Sequence, residues 1–259
     1  MIRQQYNLQD LPMADLERIG LAKKGQLSLD EDDLNAMLSG RRTDMLRLEN
    51  LQADGIHIPA LDAKLSLRPN AEGKLDLLVH PIYKDIEPPY YLTAEEAEQL
   101  EKGEKVNIDK VIVDKDGKAK EVLVEFDRDT NEFIITDTEQ ILAPEEINGL
   151  PLTPQQKEKY RKGQEVETDD GTTIQYSAKD KHGVRSDRLA LIASVLIDGG
   201  VSYILFKGLN ALFNKPQKKE PGTNYHKAIE KLKAEGIKVD QQNTPDNDAD
   251  EERAETVSR

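Results

Sequence analysis

Cysteine and tryptophan are both absent from the 259 residues. Without cysteine there is no disulfide, no thiolate metal site and no cysteine nucleophile. Aromatic residues make up only 5% and hydrophobic ones 37%, against 33% charged. Apolar material is therefore thinly spread, and several small cores are expected rather than one large core. The opening stretch MIRQQYNLQDLPMADLERIG holds no apolar run of the kind a cleaved signal peptide requires. The expectation is a cytoplasmic protein, with association at the inner membrane as the alternative.

Recognisable catalytic chemistry is missing too. The four histidines, His57, His80, His182 and His226, are scattered, and none stands at metal-ligand spacing. Asp127, Asp129 and Asn131 imitate the opening of a calcium loop, but Glu132 replaces its glycine and Thr138 its closing glutamate. No Gly-x-Ser-x-Gly elbow or phosphate loop is present. The expectation is a protein that is no enzyme, holds no metal or cofactor and has no small-molecule substrate.

What is present is charge, unevenly placed. The chain carries a formal net charge of −14, with −10 over residues 92–187 and +5 over residues 188–239. The acidic middle would repel a nucleic-acid backbone. The one basic knot before it is Arg41, Arg42 and Arg47. Paired guanidinium groups can grip phosphate or an acidic partner. The plainer expectation is that they neutralise Asp30 to Asp33, Asp44 and Glu49 nearby.

The most informative pattern is internal. Leu29 to Gly40, Leu92 to Gly103 and Leu152 to Gly163 share one spacing from opening leucine to closing glycine. Each reads as a short helix. Asp30, Thr93 and Thr153 are N-cap residues, Thr93 with Glu96 forms a capping box, and Pro154 stands at the first helical position. Gly40, Gly103 and Gly163 supply the positive φ that closes a helix.

Strand-type sequence follows each helix: a hairpin over Leu61–Leu67 and Leu75–Val79, a meander through 111–135 turning at Asp114–Gly117, and a short remnant over 166–176. Around the first copy, Met13 to Ile19 reads as a helix, and Thr43 is expected to cap another carrying Leu46, Leu48 and Leu51.

These residues also carry a resemblance. Residues 7–91, with Leu11-Pro12, Gly25-Gln26-Leu27, Ser39-Gly40-Arg41-Arg42-Thr43-Asp44 and His80-Pro81-Ile82-Tyr83, resemble an uncharacterised domain of proteins from conjugative transposons of anaerobic gut bacteria. The Leu92-Thr93…Gly103-Glu104-Lys105-Val106 segment is similar to a second such domain, often found in tandem. The third copy departs from that pattern at Lys157 and Tyr160. The resemblance implies an accessory protein of a mobile element and implies no activity.

The longest apolar stretch is Leu189 to Phe213, whose 25 residues are enough to span a bilayer. Asp198 near its middle opposes insertion by about 2.5–3.5 kcal/mol. As a helix it would place Ser194, Asp198 and Ser202 on one edge and Tyr203, Lys207 and Asn210 on nearly the opposite one. A bend at Gly199-Gly200 would reconcile the two as a pair of amphipathic helices.

The expected fold is therefore α+β. Its modules span 1–91, 92–140 and a degenerate 141–187. An apolar helical segment (188–214), a linker with a short helix (215–239) and a disordered acidic tail (240–259) follow. The expected function is that of an interaction or scaffold component. It would self-associate as a homo-oligomer, or take a protein partner, through 188–213, with Asp198, Gly199, Gly200, Tyr203, Lys207 and Asn210 as contact residues. Two alternatives use a membrane anchor at 189–213, or nucleic acid bound by Arg41, Arg42 and Arg47.

Overall fold

A computed structural model describes residues 6–53, 55–113, 117–197, 200–213, 215–237 and 239–242. The first module opens with α1 (Met13–Arg18), a two-residue ribbon of β1 (Ala22–Lys23) and β2 (Gln26–Leu27), and α2 (Glu31–Leu38). The antiparallel meander of β3 (Leu46–Ala53), β4 (Ile56–Pro69) and β5 (Leu75–Pro81) follows. The second module is α3 (Ala94–Lys102) with the meander β6 (Asn107–Val113), β7 (Ala119–Asp127) and β8 (Glu132–Asp137).

After the short strands β9 (Glu146–Ile147) and β10 (Leu150–Pro151) comes α4 (Pro154–Arg161). It leads into a third meander of β11 (Val166–Glu167), β12 (Thr173–Tyr176) and β13 (Val184–Ser186). The chain ends in β14 (Ala190–Ile197), β15 (Gly200–Lys207), α5 (Tyr225–Ala234) and β16 (Val239–Gln242). The result is an α+β protein of several small sheets.

Three times, then, a capped helix precedes a three-stranded antiparallel meander and packs on it: α2 on β4, α3 on β6 and β7, α4 on β11 and β12. The caps follow from residue chemistry. The Asp30 side chain accepts from Asp33 N–H, and Thr93 with Glu96 and Thr153 with Gln156 form reciprocal capping boxes. Each box satisfies two donors that the first helical turn would leave open.

The first core gathers Leu16, Met37, Leu38, Leu48 and Leu65, and the second gathers Leu100, Val124, Phe126 and Phe133. The third is larger. Tyr160 and Ile174 pack with Leu123 of β7 and with Leu191 and Phe206 of β14 and β15. Fully burying such a side chain contributes roughly 1.5–3 kcal/mol.

Residues 188–213 do not form a bent helical pair: β14 and β15 are a hairpin inside a five-stranded sheet ordered β10-β9-β14-β15-β16. Leu191 and Ala193 face the third core while Ile192 packs with Ala228 and Leu232 of α5, so β14 is buried on both faces. A strand covered twice reads as an unbroken apolar run and shows no period. Of the bend expected at Gly199-Gly200, Gly199 lies outside the described residues, while Gly200 opens β15 and pairs with Ile197.

The helix expected after Thr43 is β3 instead, because Leu46 and Leu48 alternate with Arg47 and Glu49 at strand period. Residues 240–242 of the expected tail belong to β16, which runs parallel to β15; residues 243–259 lie outside the described part, as do 114–116 of the expected turn. Among the described residues no helix is long and apolar enough to cross a membrane.

Candidate functional site

The site lies where the first module meets the second and third, and it begins at the end of α2. Gly40 adopts a φ of 73°, donates to Met37 O, and lets Arg41 N–H return to Ala36 O at 2.9 Å. This double closure is the Schellman motif, and it sets the direction in which the next residues leave the helix. Thr43 then docks on β4, its N–H donating to Leu65 O and its Oγ1 accepting from Leu65 N–H. Asp44 N–H donates to the buried Asp33 at 2.7 Å, and burial pushes the Asp33 carboxyl up to about 6. Arg41 and Arg42 are thereby held on a short, doubly tethered loop.

Arg42 reaches the second module. Its Nη1 lies 2.8 Å from Glu132 Oε2 and 3.6 Å from Asp127 Oδ2, and donates to Thr130 Oγ1. Beside it, Lys64 of β4 contacts both Asp127 oxygens at 3.0 and 3.1 Å and Asp129 at 2.8 Å. Lys64 is 4% and Asp127 2% exposed. The Asp127–Glu132 turn that imitates a calcium loop is therefore a docking turn. Its carboxylates are consumed by two cations of the first module, and Asn131 Nδ2 donates to Tyr83 O. Among the described residues no group of three metal-type side chains is arranged to hold an ion.

A hydrogen-bonded row completes the joint. Ser66 Oγ lies 2.8 Å from His80 Nε2, and His80 Nδ1 lies 3.0 Å from Glu132 Oε2. Burial works to raise the Glu132 pKa, but the His80 hydrogen bond and the Arg42 charge outweigh it and hold it below the usual range. A carboxylate only accepts, so the His80 donor is Nδ1–H, and in the neutral ring Nε2 accepts from Ser66. The order serine, histidine, carboxylate is that of an activated nucleophile. Here Ser66 stands in mid-strand opposite Leu78, not on the strand-to-helix turn that aims a nucleophile beside its oxyanion donors. The row joins β4 and β5 to β8.

Two hollows flank this joint. One, of about 480 Å³, is lined by both signs of charge, including Asp44, Asp129, Asp180, Lys179 and Arg185. The other, of about 610 Å³, is lined by Arg41, Arg42, Arg68, Ser66 and His80 together with Phe133, Ile135 and Leu142.

Arg41 differs from its neighbours. It is 6% exposed, its Nε donates to Lys181 O at 2.9 Å, and among the described residues no carboxylate is within ion-pair distance. Burial pushes its pKa down. Among the described residues the three arginines make no ion pair with Asp30 to Asp33, Asp44 or Glu49, although the Glu49 charge acts on Arg47. Asp32 and Asp44 are met by Lys181, Arg42 pairs across the joint, and Arg47 pairs on the surface with Asp62. The three arginines thus occupy separate environments, with only Arg41 and Arg42 on the cleft.

The residues expected to form a contact surface in 188–213 are likewise dispersed. Asp198 and Gly199 lie outside the described residues, and Gly200 opens β15. Tyr203 packs under α5, Lys207 closes β15, and Asn210 donates to Asp180 at 2.6 Å beside the first hollow. The sequence reading missed Lys64, Ser66, Arg68, Asp127 and Glu132 as parts of a joint. Ser66 and Arg68 alternate on β4, but nothing local announces their partners.

The fold is α+β with several small antiparallel sheets, and buried charge joins the sheet of β3, β4 and β5 to that of β6, β7 and β8. Residues 6–89 match the model of a family described as a protein of unknown function (DUF4099), so the N-terminal part is a DUF4099 domain. No curated protein and no solved structure matches the chain.

Proposed function

We propose that the chain is a non-enzymatic interaction protein, and that the cleft between its first module and the rest is where it takes a partner. The observation that carries this reading is Arg41, a buried cation on the lining of a cleft of about 610 Å³ that makes no ion pair among the described residues and feels the Asp180 charge only at longer range. In a chain of net charge −14, a wall bearing three arginines is a local reversal of sign. It favours an acidic partner over the chain's own surface. A role as an accessory of a conjugative element rests only on the resemblances of residues 7–91 and of residues 92–106. Self-association through 188–213 has less support, since Leu191, Ile192, Ile204 and Phe206 are spent on the chain's own cores.

The test is fluorescence anisotropy with acidic, neutral and basic peptides of one length, at low and physiological salt. The expected result is binding of the acidic peptide alone, weakened by salt and by Arg68→Gln. Absence of binding by every peptide at low salt overturns the reading.

A further inference from the structure

Three cations at the joint have found their anions. Arg42 has Glu132, Lys64 has Asp127 and Asp129, and Lys181 has Asp44. Arg41 stands apart, and so does Arg68 at the cleft mouth. Arg68 lies across the strand pair from Asp76, but Asp76 accepts from Asn70, and no ion pair of Arg68 occurs among the described residues. The one carboxylate on the cleft wall, Asp137, is also occupied. It lies 3.5 Å from Lys120 and accepts from Glu139 N–H at 3.0 Å.

The Arg41 side chain lies flat on Gly183, where a Cβ would come within 3.1 Å of its Cδ and 3.2 Å of Nε and Nη1. That close approach fixes the guanidinium instead of letting it swing to solvent. The neighbouring Tyr160 hydroxyl donates to Gly183 O. Asp180 acts on Arg41 only from beyond ion-pair distance; a buried charge without a direct partner is costly, and an anion bound beside it recovers much of that cost. The guanidinium fork matches a phosphate or a carboxylate in its own plane. The same cleft is lined by Phe133, Ile135 and Leu142, which would cover an apolar body.

We propose that this cleft binds a small organic acid, its phosphate or carboxylate group on Arg41 with Arg68 closing over it, and its apolar body against Phe133 and Leu142. The proposal rests on the partner reading above and narrows it to an oxyanion carried on an apolar body.

The test is calorimetric titration of the full chain with phenyl phosphate, benzoate, inorganic phosphate and benzyl alcohol. Phenyl phosphate or benzoate is expected to bind, and whichever binds tighter identifies the oxyanion. Inorganic phosphate should bind at least about tenfold more weakly, and benzyl alcohol not at all. Arg41→Gln should abolish binding. Because that substitution alters a buried position, Arg68→Glu is the second variant: it lies on the surface and should weaken binding about tenfold or more. Binding unaffected by Arg68→Glu, or benzyl alcohol binding as well as the acids, overturns the site. If no small acid binds while the acidic peptide does, the organic-acid site is wrong and the partner reading stands. If neither binds, both fall.

Discussion

Replacing Lys64 by methionine should unsettle the joint far more than breaking a shorter ion pair on the surface. Lys64 Nζ sits 3.0 and 3.1 Å from the two Asp127 oxygens, with both side chains buried. The pair Arg47–Asp62 is closer, at 2.7 Å, but its side chains are 59% and 42% exposed. Distance alone would rank Arg47 first; desolvation reverses the order. Removing Lys64 leaves the Asp127 carboxylate with Arg42 at 3.6 Å and the Asp129 N–H, too little for a group so deeply buried.

Breaking a buried pair costs about 3–5 kcal/mol. For a chain of this size that is a fall in melting temperature of about 6–20 °C. Arg47→Gln should leave the melting temperature within the scatter of surface substitutions. Thermal unfolding followed by circular dichroism, at low and high salt, makes the comparison. The Lys64→Met loss should persist in salt, because buried pairs are poorly screened. The double variant Lys64→Met with Asp127→Leu should cost less than the two single changes added, by about 1–3 kcal/mol. Equal, small losses for Lys64→Met and Arg47→Gln, with additive double-variant behaviour, would refute the reasoning.

Other expectations are as direct. The Asp33 carboxyl, raised to about 6 by burial, holds its proton more tightly in the folded chain than in the unfolded one. Its contribution is fully present below the ordinary carboxylate pKa and is lost as pH rises through about 6. Asp33→Asn keeps an acceptor for Asp44 N–H and has no proton to lose. It should gain on the natural protein between pH 4 and 7, by at most about 3 kcal/mol, in pH-dependent denaturant titrations; a growing deficit at high pH contradicts this.

Gly163→Ala meets Leu123 Cδ2 at 2.8 Å and Asn107 Nδ2 at 2.6 Å in a residue with φ of 65°, so strain and overpacking together should cost about 2–4 kcal/mol. Gly20→Ala, with φ of 81° and open space around it, should cost only the backbone term, about 1 kcal/mol; equal losses for the two would discount the packing argument. A serine-directed fluorophosphonate should leave Ser66 unlabelled, and stoichiometric labelling seen by mass spectrometry would make the Ser66–His80–Glu132 row catalytic.

The features legible in the sequence are those whose causes are local. Thr93 with Glu96, Pro154, and the glycines closing α2, α3 and α4 signal helix ends within a few residues. The turns after Pro69 and Phe126 are written in Asn, Asp and Gly. The hairpin of β14 and β15 was misread because a strand buried on both faces lacks the alternation that marks a half-exposed one. Its Asp198-Gly199 step, between two runs rich in Ile and Val, is itself a strong hairpin signal. Ser194, Asp198 and Ser202 also fit one edge of a helix, and Tyr203, Lys207 and Asn210 nearly the opposite edge, so the polar residues by themselves point to helix.

The joint was not legible at all. Arg42 meets Thr130 across 88 positions, and Lys64 meets Asp127 across 63, so no window of neighbouring residues contains both partners. The isolation of Arg41 is visible only once every nearby carboxylate is seen to be engaged elsewhere.

The account stands most directly on Arg41. In uniformly nitrogen-15-labelled full-length protein, the Arg41 Nε–H resonance can be assigned by its loss in Arg41→Gln and followed while phenyl phosphate or benzoate is added. The account predicts a saturable shift of that resonance, with the Arg47 resonance unmoved. An Arg41 signal that stays still while the acid reaches millimolar concentration, or one that moves in step with Arg47, would contradict it.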